Sequence, residues 1–542
     1  MDIAEENKFR LNKASFRELA IVFFISLILF SLLYRVYPLY RDEGQITVGA
    51  MRALHGQVIY RDFFKFLPPG SIYLMALFYK IFGLSVNVNI TTTVITFAII
   101  AVLTYWLTKK LAGGIFFPLV SLFFFVTVCA PTWYEISQHW FSTCTAMLAL
   151  VCLIKFLESS KGYLLFICGF LIGATVLFLH HKGGLLFFAF AILLGFNSLL
   201  ENKPDKLKRL TWSISLVSGG LLLAVFPFVA YLIIEGALKE SVYDLFYWVR
   251  ESYYNFNRYP FYYYDGIVNT RVAIESYFFP RAVFQCRTYI IVGITHLLGV
   301  ISGFVLGVRE IQNRNRKHGL IILSVSLTGA CLIASIVYRA DFVHILFTLP
   351  VAFPLFLRLL ERLRKSHASL IPLLIIPFIL DWGAGYFMNI IRIYSSKAAP
   401  IHTKSDTLWT IQGPGLAAQW QAFYDFFQEK DPKDGDVFIY SRAHSIYFNL
   451  RLLPPTPYDD ILPGHNTPEQ LSEAISSLQK RRPEFVVEDF LVDAIIKNKM
   501  AVRYPMADID AFLGDPVKAY IRGNYERLSL NAAMPVLKRR EE

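Results

Sequence analysis

The chain alternates between long apolar runs and short polar segments. A helix needs about 20 consecutive apolar residues to cross a bilayer, and many of these runs approach that length. No small-residue cleavage site follows the first run, so we expect a retained helix and not a signal peptide. The pattern predicts about eleven spans, near residues 18–37, 86–108, 111–129, 140–157, 162–179, 184–200, 211–234, 288–308, 319–337, 344–358 and 369–389.

Basic residues fall in alternate connections between these runs and predict the orientation of the chain. Cytoplasmic loops carry an excess of Lys and Arg. The pattern therefore predicts a multi-pass membrane protein with a cytoplasmic N-terminus and an extracytoplasmic C-terminus. The membrane is expected to be the inner (plasma) membrane of a bacterium. The basic positions lie in the N-terminal tail (Lys8, Arg10, Lys13, Arg17), at Lys109-Lys110, at Lys155 and Lys161, and in 203–209, 309–318 and 358–365.

The character of the sequence changes near residue 395. Residues 436–440 and 483–487 are strand-like, and a helix is predicted between them over 467–480. Thr467 and Gln470 fit a capping box with Pro at the first helical position. We therefore expect a transmembrane domain over 1–394, with outer loops 38–85 and 235–286. A soluble, extracytoplasmic α/β domain is expected over 395–542.

Composition supports a membrane protein. Of 542 residues, 55% are hydrophobic and only 17% charged, whereas soluble domains carry about 25% charged residues. The net charge of +12 is explained by orientation in the bilayer, so we expect no nucleic-acid partner. The six Cys lie in or beside apolar runs without metal-ligand spacing, which favours buried small side chains.

The first outer loop holds the most unusual polar residues. Asp42 and Gln45 form a capping-box pattern, and Gly56 would end the helix, which predicts a short helix lying in the membrane interface. Asp42 could serve only as the helix cap. It could also act as a general base, with Arg41 and Lys65 holding an anionic leaving group such as a phosphate.

Other candidate residues lie on the same predicted side of the membrane. Each has a plain alternative, as a solvated carboxylate, an interface anchor or a snorkelling cation. Aromatic residues between 243 and 264, interleaved with arginines, fit either an interfacial belt or a lid over a site. The candidates are Glu135, His139, His180, His181, Lys182, Arg250, Arg258, Arg339 and His344.

Several of these segments together resemble the GT-C superfamily of polytopic glycosyltransferases, which use polyprenyl-phosphate sugars. The superfamily includes aminoarabinose and protein O-mannosyl transferases. The segments are the acidic pair Asp42-Glu43 after the first span, Tyr60-Arg61-Asp62-Phe63, Pro68-Pro69-Gly70, an aromatic helix ending in Phe82-Gly83, and Arg339-x-Asp341-x-x-His344.

The resemblance implies a fold and a set of roles. The fold is an α-helical polytopic membrane protein, GT-C-like, with a C-terminal α/β domain. Asp42 would be the catalytic base, with Glu43 and Glu135 as further acidic residues. The donor phosphate would be bound by Lys65, Lys182, Arg258, Arg339 and His344, with His180, His181, Arg61 and Asp62 as additional candidates. Relatives often carry Lys directly before the Pro pair, where this chain has Leu67 and places Lys65 two positions earlier.

The leading hypothesis is therefore an inverting glycosyltransferase. It would move a sugar from a polyprenyl-phosphate donor in the bilayer to an extracytoplasmic acceptor: a glycolipid, lipopolysaccharide, cell-wall glycan or protein. A lipid-linked-sugar flippase is the alternative, although it would favour charges near the bilayer midplane. A non-catalytic assembly protein would leave Asp42 unexplained. No cofactor follows from the sequence, and a divalent cation stays open, without ligand spacing to support it.

Overall fold

Helices account for most of the chain up to residue 394. The computed structural model describes residues 15–37, 42–200, 204–253, 279–364, 370–395, 398–440, 442–462, 464–488 and 514–541. The helices in this part are α1 (Phe16–Ser31), α2 (Gly44–Leu54), α3 (Gly70–Phe82), α4 (Val86–Ala112), α5 (Phe116–Thr132), α6 (Gln138–Ser159), α7 (Tyr163–Phe178), α8 (His180–Leu200), α9 (Lys206–Ile234), α10 (Leu238–Val242), α11 (Phe279–Gln312), α12 (Arg316–Ala334), α13 (Phe342–Leu346), α14 (Leu349–Arg364) and α15 (Leu370–Tyr394).

A helix lies at each of the predicted spans. Among the described residues, six are long and apolar enough to cross a membrane: α4, α6, α8, α9, the Val292–Gln312 part of α11, and α12. By length and composition the chain is thus a multi-pass membrane protein. Other helices at predicted positions are shorter, such as α5 and α7, so the count of eleven stays a prediction.

Glycines bring helices α7 and α9 into backbone contact. A Cβ atom added at Gly169 would overlap the backbone of Val217, and one added at Gly220 would overlap the carbonyl of Phe166. Small residues at such positions let apolar helices approach closely where water supplies no driving force. Helices α7 and α9 are therefore packed directly against each other.

The first outer loop forms two helices, α2 and α3. Helix α2 begins at Gly44 with Glu43 at the N-cap position, and among the described residues no side-chain hydrogen bond caps it. The prediction that Asp42 caps this helix is therefore wrong. Gly56 follows the C-cap with a φ of 81°, which confirms it as the terminator.

Helix α2 is also deeply buried within the protein. Every residue from Gly44 to Arg52 is buried, and the predicted place of this helix in the membrane interface stays a prediction. The reason for the burial is long-range: the C-terminal part of the chain covers the face that an isolated helix would present to water or lipid headgroups.

The C-terminal part of the chain mixes strands with helices. A four-stranded sheet has the strand order Val437–Tyr440, Phe485–Glu488, Val536–Arg539 and Tyr525–Arg527. The first two strands are parallel, and the other neighbouring pairs are antiparallel. The predicted capping box of Thr467 and Gln470 is present at the start of the helix Pro468–Arg481. The division into two domains at residue 395 stays a prediction. The elements are β1 (Ala399–His402), β2 (Thr407–Thr410), α16 (Pro414–Lys430), β3 (Val437–Tyr440), α17 (Ser445–Leu450), α18 (Pro468–Arg481), β4 (Phe485–Glu488), α19 (Pro516–Asn524), β5 (Tyr525–Arg527) and β6 (Val536–Arg539).

The α7–α9 contact predicts that alanine substitutions at two adjacent glycines change the melting temperature differently. Gly220→Ala forces a methyl group into the Phe166 carbonyl, whereas a Cβ at Gly219 meets only the Phe166 ring, at 3.6 Å. Overpacking of this kind costs about 1–3 kcal/mol. We expect Gly220→Ala to lower the melting temperature of the detergent-purified protein, and Gly219→Ala, the matched control, to leave it unchanged or raise it. Equal melting temperatures for the two variants would contradict this packing.

Candidate functional site

The site is built where the start of helix α2 meets the start of helix α17. A Cβ at Gly44 would overlap the imidazole of His444 and the backbone of Ser445, so the two helix starts touch directly. Only glycine allows this approach. Asp42 and Glu43, immediately before Gly44, are thereby held against the C-terminal part of the chain.

The two acidic residues at this junction have opposite environments. Asp42 is exposed, whereas the Glu43 side chain is buried. Glu43 lies beside Tyr37: burial, and then Glu43 itself, raises the pKa of the Tyr37 phenol above its ordinary value, with Glu135 adding to the effect. Tyr37, Glu43 and Glu135 therefore lie near one another among buried residues, whereas Asp42 is exposed.

His465 marks the point where charges from distant segments converge. Burial lowers the pKa of its imidazole to about 4; Asp460 and Asp42 oppose this shift, while Arg442 and Arg339 reinforce it. Four charged side chains thus lie within electrostatic reach of one neutral imidazole. Asp42 and Arg339, which are far apart in sequence, both lie within electrostatic reach of His465.

Arg339 is held in place by a short network before helix α13. Its Nε donates to Asp341 Oδ2 at 3.0 Å, and Asp341 Oδ1 accepts from the His344 backbone N–H at 2.9 Å as the helix cap. Burial disfavours the charge on Asp341, but His344 and Arg339 outweigh burial and hold the pKa of Asp341 well below its ordinary value. The His344 ring in turn lies 4.9 Å from the His139 ring.

Lys65 forms a buried ionic latch with the C-terminal part of the chain. Its Nζ donates to Asp459 Oδ2 at 2.5 Å, and Arg52 Nε donates to Asp459 Oδ1 at 2.7 Å. Arg52 also donates to the carbonyl of Thr456 at 2.6 Å. Lys65 would have to leave Asp459 to bind a donor phosphate, so its proposed phosphate role stays a prediction that the observed pairing does not support.

Lys182 lies inside the helical bundle. Its ammonium donates to the hydroxyls of Ser142 at 2.9 Å and Thr143 at 3.2 Å, and the residue is 1% exposed. No carboxylate pairs with it in the described part of the chain. A buried cation held only by hydroxyls is unusual. Its role toward a donor phosphate stays a prediction.

Two further candidates lie on a surface turn. Arg61 pairs with Asp62 at 2.9 Å and with Glu235 at 3.1 Å, all with exposed or half-exposed side chains. Asp62 also accepts from the Val58 backbone N–H at 2.7 Å. These contacts stabilise the turn before helix α3. Nothing in them connects Arg61 or Asp62 to the residues around His465.

The paired histidines at the start of helix α8 contact other elements. His181 Nε2 lies 3.0 Å from the Ser335 carbonyl, and the His180 ring is 5.0 Å from Phe246 on the second outer loop.

Arg41 and Arg258 lie outside the described residues. In the described part of the chain, no three His, Cys, Asp or Glu side chains converge as metal ligands would, and so His180, His181 and Glu135 form no such group.

The second outer loop docks on the C-terminal part of the chain. Trp248 is fully buried and its Nε1 donates to Gln470 at 3.0 Å. It stacks on Phe66 at 5.1 Å and lies 5.1 Å from the His465 ring. The start of the predicted lid is therefore anchored beside His465; whether the loop acts as a lid stays a prediction.

The C-terminal residues of the site were not predicted from the sequence. His444, Asp459, Asp460 and His465 lie in a segment where the sequence indicated only an α/β domain. The signal was present in the run Tyr458-Asp459-Asp460, an acidic pair in an otherwise apolar and proline-rich stretch. It resembles the Asp42-Glu43 pair, but only the fold shows that Asp459 pairs with Arg52 and Lys65 of the first outer loop.

The latch predicts a large loss of stability when Asp459 is neutralised. Asp459→Asn leaves the buried cations of Arg52 and Lys65 without their shared counter-charge, which costs about 3–5 kcal/mol. We expect a lower melting temperature and faster proteolysis of the C-terminal part. The control is Asp431→Asn, which removes an exposed pair with Lys404 and costs about 0–1 kcal/mol. Similar melting temperatures for both variants would show that the latch contributes little.

Comparison with known proteins yields distant structural similarities. No protein-family model and no curated protein matches the sequence. The oligosaccharyltransferase of Archaeoglobus fulgidus, in a crystal structure with Zn and sulfate, superposes with a TM-score of 0.46 and 11% identity, over 95% of this chain and 72% of that chain. The oligosaccharyltransferase AglB from the same organism, with an inhibitory peptide and a dolichol-phosphate, gives a TM-score of 0.46 and 12% identity, over 96% and 74%. At this level the similarity assigns neither an activity nor a residue's role.

Proposed function

We propose that the protein is an integral-membrane glycosyltransferase that moves a sugar from a polyprenyl-phosphate donor to an extracytoplasmic acceptor. One observation carries the proposal: the start of helix α2, with the exposed Asp42 before it, packs directly against His444 of the C-terminal part of the chain. The charges of Asp42 and Arg339 both reach His465 in that part. Such a transfer requires a carboxylate as a base for the acceptor and a guanidinium as a ligand for the departing phosphate.

Asp42 is the proposed general base. It is exposed, so an acceptor hydroxyl can reach it from water, and its backbone is held by the start of helix α2. A base positioned within hydrogen-bond reach typically contributes about 10²–10⁴-fold to the rate. Direct attack assisted by a single base inverts the configuration at the anomeric carbon, by the logic that separates inverting from retaining hydrolases.

Arg339 is the proposed ligand of the donor phosphate. Its planar fork matches phosphate oxygens, and Asp341 fixes the Nε side of that fork at 3.0 Å. It lies between helices α12 and α13, next to the exposed Tyr338. The long apolar helices supply the bilayer contact that such a donor needs.

The proposal is tested by incubating the purified protein in detergent or nanodiscs with a panel of polyprenyl-phosphate sugars. Release of the free carrier phosphate is then measured for each donor. Transport of an intact lipid-linked sugar in vesicles, with no carrier released, would overturn the proposal in favour of a flippase.

Replacement of the base predicts loss of transfer. Asp42→Asn removes the proton acceptor with little change in size, so we expect carrier release to fall by about 10²-fold or more. Asp431→Asn is the control, an exposed carboxylate paired with Lys404, and it should retain activity. Full activity of a correctly inserted Asp42→Asn protein would exclude Asp42 as the base.

A further inference from the structure

Two polar side chains beside Asp42 are buried with atoms that the described residues leave without hydrogen bonds. His444 is fully buried, and within the described chain neither of its ring nitrogens has a partner. Asp460 Oδ1 is likewise buried and without a partner in that part of the chain, while Oδ2 lies 3.5 Å from Arg442 Nε. Leaving such groups buried and unpaired is unfavourable, and more so for a charged group.

Geometry places His444 next to the proposed base, and electrostatics connect Asp460 to His444. The imidazole of His444 lies against Gly44, two residues after Asp42. Asp460 is the charge that acts most strongly on His444, and Asp42 acts on His444 as well. His444 therefore lies at the junction of helices α2 and α17, and the charges of Asp42 and Asp460 both reach it.

We propose that His444 and Asp460 form the acceptor subsite of this enzyme and bind a hydroxyl-bearing acceptor through hydrogen bonds to their unpaired atoms. This inference rests on the proposed function. It assigns the acceptor side of the reaction to the C-terminal part of the chain and the donor side to the helical part.

The chemistry of the subsite selects the kind of group it takes. A carboxylate oxygen accepts hydrogen bonds only, and a neutral imidazole can accept one and donate one. An alcohol with at least two hydroxyls satisfies both residues, with one hydroxyl donating to Asp460 and the reacting hydroxyl directed at Asp42. An anionic acceptor group would be repelled by Asp42 and Asp460 together.

The reaction that this placement supports balances without a co-reactant. The acceptor oxygen forms a bond to the anomeric carbon while the bond between that carbon and the phosphate oxygen breaks. The hydroxyl proton passes to Asp42, and the electron pair leaves on the polyprenyl phosphate. His444 and Asp460 position the acceptor, and neither exchanges a proton with it.

The experiment uses a small surrogate acceptor, since only the class of acceptor is defined. Full-length wild-type protein is incubated with the polyprenyl-phosphate sugar that supports carrier release, in water containing glycerol. The ratio of glyceryl glycoside to free sugar is measured; it reports acceptor binding separately from donor cleavage. The same ratio is measured for Asp460→Asn and His444→Gln, with Asp431→Asn, exposed in the same part of the chain, as the matched control.

We expect Asp460→Asn and His444→Gln each to lower this ratio about tenfold, as the loss of a hydrogen bond to a charged or buried group predicts, while Asp431→Asn leaves it unchanged. An equal ratio in wild type and in whichever of the two variants folds would overturn the subsite. Absence of carrier release by the wild-type protein with every donor would instead overturn the proposed function, and the subsite with it.

Discussion

The site depends on the buried carboxylate of Asp459. It lies between Arg52 and Lys65, which belong to the first outer loop, and it comes from the C-terminal part of the chain. Each cation would carry a large desolvation penalty alone, and their common partner offsets it. Because both cations project from the α2 region, the same interaction fixes helix α2 against helix α17, and with it the position of Asp42.

Close packing also determines how helices α2 and α17 meet. Gly44 lies against His444 and Ser445, so the two helix starts can approach only because the first of them lacks a side chain there. The backbone N–H of Phe64 donates a hydrogen bond to the Pro457 carbonyl at 3.1 Å, which extends the same contact. The C-terminal part is thus joined to the first outer loop by charge, backbone and close packing together, and it can contribute residues to the site as well as cover it.

The parts that the sequence predicted are those determined by neighbouring residues. Apolar runs, the terminator Gly56 and the capping box of Thr467 depend on contacts within a few positions, and the structure confirms them. Arg52 and Asp459 are separated by 407 positions, and no local pattern signals their pairing. The same long-range contact explains why α2 is buried and why Lys65 is engaged away from a phosphate.

The two acidic neighbours Asp42 and Glu43 show how the fold separates roles that the sequence leaves equal. Glu43 occupies the N-cap position, and its buried side chain lies near Tyr37 and Glu135. Asp42, one residue earlier, is exposed and lies beside His444 and His465. Since a base must meet its proton donor directly, the exposed member of the pair is the one suited to accept it.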